Sequence, residues 1–114
     1  MKIDKPWGYE IRWAMNDKYL GKILHINAGQ RLSLQYHEVK DESIYVVKGT
    51  LIVRNQHKII RVLEEGESMR IQPRVVHRFC APSEFDVEIV EVSTPELDDI
   101  VRLEDDYGRL SQDS

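Results

Sequence analysis

Read for its alternation of apolar and polar residues, the chain divides into short runs of period two, broken by turn-forming residues. Lys22, Leu24 and Ile26 alternate with Ile23 and His25 in residues 19–27, and Phe85, Val87 and Ile89 alternate with Asp86, Glu88 and Val90 in residues 85–92. Successive side chains of a strand point to opposite faces, so this period predicts β-strands. Residues 9–14, after the turn signal Pro6-Trp7-Gly8, read as an early edge strand, with Trp7 and Tyr9 as packing aromatics. Further strands are expected over residues 32–37, 43–47, 51–54, 59–63, 68–71 and 75–80. Lys48-Gly49-Thr50 predicts a hairpin between the runs 43–47 and 51–54, and Asn55-Gln56-His57-Lys58 a polar loop tip that leaves His57 in solvent. A weak helical period covers residues 96–103; Ile100, Val101 and Leu103 are expected to dock the acidic tail, and residues 110–114 to fray. Many short strands with close turns predict an all-β sandwich or barrel.

Composition narrows this picture. The 114 residues suffice for one core, so a single domain over residues 1–114 is expected. With 41% hydrophobic and 32% charged residues, and no apolar run long enough to cross a bilayer, the chain has the balance of a globular protein with no membrane role. The first ten residues, MKIDKPWGYE, lack the apolar segment of a secretory signal, which predicts a cytoplasmic location. A formal net charge of −4 argues against nucleic acid as a partner. Cys80 is the single cysteine, which excludes an intrachain disulfide and a cysteine zinc cage and leaves it as a small core residue.

The chemistry concentrates in residues 29–49. Ser33, Gln35 and His37 share one face of a predicted strand and Leu32, Leu34 and Tyr36 the other; Glu42, beyond a turn, can return to the face of Gln35 and His37. Imidazole, carboxylate and carboxamide oxygen form a mixed set suited to Zn²⁺, Mn²⁺, Fe²⁺, Co²⁺ or Ni²⁺. A polar interior face backed by an apolar one is natural to a small barrel that holds a ligand. His25 reads as a surface or rim residue and is given no site role.

The segment resembles the first cupin motif, with Gly29, Gln35, His37, Glu42 and Gly49 at that family's spacing and Gln35 in place of its first histidine. Gly66, Ile71-Gln72-Pro73 and His77 follow the outline of the second motif, although Gln72 and Arg74 stand where a proline and a glycine are common. Within cupins the chain is similar to the C-terminal isomerase domain of type II phosphomannose isomerase. That likeness is carried by Lys5-Pro6-Trp7-Gly8, Leu32-Ser33-Leu34-Gln35, Val46-Val47-Lys48-Gly49-Thr50, His77-Arg78-Phe79 and residues 98–109.

The resemblance implies a jelly-roll β-barrel, a divalent metal ion held by Gln35, His37, Glu42 and His77, and conversion of mannose 6-phosphate to fructose 6-phosphate. It also implies a phosphorylated sugar as partner, handled by Lys22, Lys40, Arg78 and Arg109, and a homodimer. Val39, Lys40, Asp41, Ser43 and Ile44 depart from the family's pattern around the carboxylate, and Val39, Ser43 and Ile44 favour a sugar- or metabolite-binding module without turnover; the rival enzyme is a cupin-type oxygenase, since Fe²⁺ also accepts such ligands. These residues contain no glycine-rich nucleotide loop, so guanylyltransfer is not expected of them.

Overall fold

A computed structural model describes residues 1–110. It holds eleven strands: β1 (Lys2–Lys5), β2 (Gly8–Met15), β3 (Leu20–Ile26), β4 (Leu34–Tyr36), β5 (Glu42–Lys48), β6 (Leu51–Arg54), β7 (Ile59–Leu63), β8 (Ser68–Ile71), β9 (Arg78–Cys80), β10 (Val87–Ser93) and β11 (Val101–Glu104). Six form one antiparallel sheet in the order β1-β2-β3-β10-β5-β8. Opposite it lie the ribbons β11-β4 and β7-β6-β9. Bridges from Arg31 to Cys80 and from Gln35 to His77 join these ribbons into a second layer. The two layers make a jelly roll with an open rim rather than a closed barrel.

The alternation read from the sequence determines which faces meet. Leu24 and Ile26 on β3, Ile44 and Val46 on β5, and Val87 and Ile89 on β10 point inward against Leu51, Val53, Leu63 and Phe79 of the second layer, all at most 3% exposed. At about 25 cal/mol per Å² of apolar surface removed from water, this packing is the main source of stability. Along the same inward faces, β3 carries Lys22, β5 Glu42 and β10 Glu91, all buried. One end of the sandwich is therefore apolar and the other charged.

Three expectations change. Residues 43–47 and 51–54 do not pair as a hairpin: β5 bonds to β10 and β8, and β6 to β7 and β9. Gly49, at φ 87°, turns the chain from one layer to the other, and a Cβ there would stand 2.6 Å from the carbonyl oxygen of Asp86. The edge strand of the large sheet is β1, which pairs through its backbone with β2 and has little apolar pattern to reveal it. Residues 96–103 contain no helix; Val101–Glu104 instead pairs with β4, because docking its backbone on a free strand edge outweighs a weak periodicity.

The segment after β10 is tied to the body. Arg31 forms a two-pronged ion pair with Asp106 at 2.7 and 3.0 Å, and Tyr107 donates a hydrogen bond to Gln30 at 2.7 Å. Leu110 is exposed; the rest of the stretch expected to fray lies outside the described residues.

Candidate metal centre

His37 follows β4, Glu42 opens β5 and His77 precedes β9, so the site is assembled where three strand ends of the two layers meet. The bridge between Gln35 and His77, closed by backbone hydrogen bonds of 3.0 and 2.9 Å, brings His77 beside the strand that leads to His37. One potential ligand atom from each of His37, Glu42 and His77 lies within 4.8 Å of the others, and all three residues are buried. The Oε2 atom of Glu42 is 3.5 Å from Nε2 of His77 and 3.8 Å from Nε2 of His37, too far for a good hydrogen bond to either.

The histidine tautomers follow from their other nitrogens. His77 Nδ1 donates to the carbonyl of Val75 at 2.9 Å, and His37 Nδ1 donates to the carbonyl of Asp99. A carbonyl can only accept, so each Nδ1 carries a proton, and in the neutral ring each Nε2 presents its lone pair to Glu42. Both Nε2 atoms are buried without a hydrogen-bond partner. Two orphaned imidazole lone pairs facing a carboxylate oxygen fit a divalent cation, and carbonyls that fix metal-binding rings in this way are common around such sites. Burial raises the Glu42 carboxyl's pKa, but contact with the His37 and His77 rings when they carry a second proton, and with the Lys40 ammonium, outweighs it and holds the group well below the usual carboxylate range.

Asp99 shapes the loop between His37 and Glu42. Besides its carbonyl, its carboxylate accepts the backbone N–H groups of Glu38, Val39 and Lys40 at 3.0, 2.7 and 2.9 Å. Arg74 supports the loop from the other side, donating its backbone N–H to the carbonyl of His37 at 2.6 Å from a left-handed conformation, φ 70°.

Above the cluster opens a cavity of about 290 Å³, and Gln35, His37 and Glu42 line it together with Lys22, Lys40 and Arg109. Gln35 accepts a hydrogen bond from Ser33 Oγ at 2.6 Å. Lys40 is buried between Glu91, at 2.9 Å, and Glu42 Oε1, at 3.6 Å, and so steadies the carboxylate whose other oxygen faces the histidines. Arg109 is clasped by Asp105 at 2.8 Å. Arg78 corrects its expected role: it stands apart from the cavity wall, with Nε donating to the carbonyl of Leu32 at 2.8 Å and its guanidinium near Glu104 and Asp106. It anchors the tail instead of meeting a ligand. His25 stacks on Tyr9 and meets Asp86 at 3.0 Å on the outer surface.

The cavity also contains Lys5, Glu10, Arg12 and Glu91, which the sequence reading did not single out. Glu91 had a signal: it continues the inward face of Val87 and Ile89. A charge on an apolar strand face must find a partner, and here it finds Lys40. Burial, followed by the charge of Glu42, raises the Glu91 carboxyl's pKa against the opposing pull of Lys40 and Lys22.

A two-layered jelly roll with histidines and a carboxylate gathered at its open end defines a cupin, and solved cupins have the same architecture. An RmlC-like cupin from Shewanella frigidimarina superposes with a TM-score of 0.73 at 20% identity over 87% of this chain and 86% of its own. The model of the family described as "Mannose-6-phosphate isomerase C-terminal" matches residues 1–105, and the chain belongs to that family. It is 36% identical over 114 residues to the alginate biosynthesis protein AlgA of Pseudomonas aeruginosa, covering 97% of this chain and 24% of that one. The xanthan biosynthesis protein XanB of Xanthomonas campestris is 35% identical over 111 residues, covering 95% of this chain and 24% of its own. The chain thus spans about a quarter of the length of these relatives.

Proposed function

We propose that the chain is a metal-dependent aldose–ketose isomerase that interconverts mannose 6-phosphate and fructose 6-phosphate. The observation that carries this reading is the pair of buried Nε2 lone pairs turned on Glu42 beneath a polar cavity, in a chain of the mannose-6-phosphate isomerase C-terminal family. His37, Glu42 and His77, with Gln35 beside them, would hold the divalent ion. When bound, that ion supplies charge stabilisation to the sugar's carbonyl and hydroxyl oxygens.

The remaining work falls to the chain's own groups. Isomerisation removes a proton from C2 and returns one to C1, while the O2 hydroxyl proton passes to O1. Glu91 is suited to carry the carbon-bound proton, because its raised pKa favours a carboxyl that can both take and release one. Lys40 holds Glu91 and Glu42 in fixed relation through its two ion pairs. Trp7, Leu24, Leu32 and Phe79 form the apolar wall that limits water around the reacting carbons.

Among the described residues no helix is long and apolar enough to cross a membrane. The test is turnover of metal-reconstituted protein on a panel of sugar phosphates, with and without oxygen, read as fructose 6-phosphate formed. Oxygen-independent conversion upholds the isomerase. Oxygen uptake supports the oxygenase instead, and binding without conversion supports a sugar-binding module.

A further inference from the structure

The cations of the cavity differ in how far their charge is already answered. Lys40 has two carboxylates within ion-pair distance, Arg109 is clasped by Asp105, and Arg78 lies off the wall. At the other side of the cavity, three cations share one carboxylate. Glu10 Oε2 meets Arg12 Nε at 2.6 Å and Lys22 Nζ at 3.4 Å, and Oε1 faces Lys5 Nζ at 3.8 Å. Among the described residues Glu10 is the one carboxylate within ion-pair distance of all three, so three positive charges share it, with Glu91 acting on Lys22 from further off, in a wall where Lys22 and Glu10 are buried and Lys5 and Arg12 part-buried.

Such a cluster is costly unless an anion completes it, since like charges repel and burial strips them of water. Lys5 registers that cost: burial lowers its pKa, Glu10 opposes the fall, and Lys22, Arg12 and Arg109 deepen it. Glu10, only 3% exposed, sets the spacing of the three heads without neutralising them.

We propose that Lys5, Arg12 and Lys22 form the subsite for a phosphate monoester, which fixes the far end of the substrate while its reacting carbons lie over His37, Glu42 and His77. Lys22 on β3 lies across β10 from Ile44 on β5, and Glu42 is two residues further along β5, so two strand spacings and two residues of rise set their backbones roughly 12 Å apart. An extended hexose phosphate bridges such a gap. Two ammonium groups and a guanidinium around one hole match a tetrahedral dianion better than a single planar carboxylate. The identity of the sugar rests on the isomerase reading; the phosphate subsite rests on the charge arrangement.

The test reads binding separately from turnover. Chelator-treated and metal-loaded chain are titrated calorimetrically with inorganic phosphate, mannose 6-phosphate and mannose, at low and high salt. The phosphorylated ligands should bind in both forms, with affinity that falls as salt rises, and mannose should bind far more weakly. Lys22→Met should weaken phosphate binding roughly ten- to hundredfold, the loss of one or two charge-assisted hydrogen bonds. Lys5→Met with Lys22→Met should abolish it and leaves the Arg12–Glu10 pair to support the fold, which thermal melting verifies. Lys22→Arg should restore most of the affinity. Unchanged phosphate affinity in the double variant, or none in the parent, overturns the subsite. Phosphate binding that is lost in the double variant upholds it even if no sugar is isomerised, whereas isomerisation with an unchanged KM in that variant overturns the subsite and leaves the isomerase standing.

Discussion

The two ends of the sandwich are built on the same strands and obey opposite rules. On β5, Val46 and Ile44 sit in the apolar core and Glu42 beside His37 and His77; β10 passes likewise from Val87 and Ile89 to Glu91, and β3 from Ile26 and Leu24 to Lys22. At the apolar end each buried side chain contributes by leaving water, with no particular partner required. At the charged end each buried group is tolerable only because another stands at a set distance: Lys40 for Glu91, and Glu10 for Lys22 and Arg12. The fold is driven from its apolar end, and the buried charges are gathered at the other.

Truncating the apolar end should have the largest effect on stability. Leu63→Ala removes a fully buried side chain and should cost about 2–5 kcal/mol in guanidinium denaturation, while leaving the metal affinity of the folded protein close to that of the parent. A large loss of metal affinity would mean the two ends are not separable. Next comes Lys40→Met, which strands Glu91 beside Glu42 and should cost about 3 kcal/mol. Adding Glu91→Leu should return much of that stability without restoring turnover. If the double variant is no more stable than the single, the charged end is stabilising in its own right.

These differences show why the sequence spoke unevenly. Strands β3 and β10 follow from local alternation, since each buries one face of its own residues. The approach of Glu42 to His37 was also legible, because strand faces and the turn between them set those directions, whereas His77 joined them only through the resemblance to the second cupin motif. The unpredicted parts depend on partners distant in sequence. β1 has no apolar face to betray it, and β11 is selected by the edge that β4 offers. Glu10 gathers cations from three strands, and Asp99 reaches a loop some sixty residues earlier, contacts that no local pattern encodes.

Asp99 tests the border between the two ends. Asp99→Ala frees three backbone N–H groups of the His37–Glu42 loop and should cost about 1–3 kcal/mol, with a ten- to hundredfold loss of metal affinity by calorimetry, roughly the effect of removing a group that orients a ligand. Burial raises this carboxyl's pKa, but the N–H groups of Val39, Lys40 and Glu38 outweigh it and hold the group below its ordinary value. The ionised form is therefore favoured by folding: its contribution is complete above the unfolded carboxyl's pKa of about 4 and fades as pH falls through the lower folded value. In acid titrations the parent should lose stability over this range more steeply than Asp99→Ala; parallel curves would rule out the carboxylate as the source.

The smallest effect is expected at Arg74. Its φ of 70° is unfavourable for a residue with a Cβ, and Arg74→Gly relieves that strain while loosening the unfolded chain and removing an exposed pair with Glu38. A net gain of less than about 1 kcal/mol should appear in thermal melts. A clear loss would show that the Glu38 pair matters more to the loop than backbone strain.

The contact between His37 and the Asp99 carbonyl spans 62 positions of the chain. During synthesis, the imidazole is complete long before the group that sets its tautomer has been made. Strands of the apolar end can begin to associate while the ribosome is still adding residues, yet the pocket acquires its ligand geometry only after the segment carrying Asp99 has emerged and docked. Nascent chains halted before that point would be competent to collapse and would lack the contact that sets the orientation of His37.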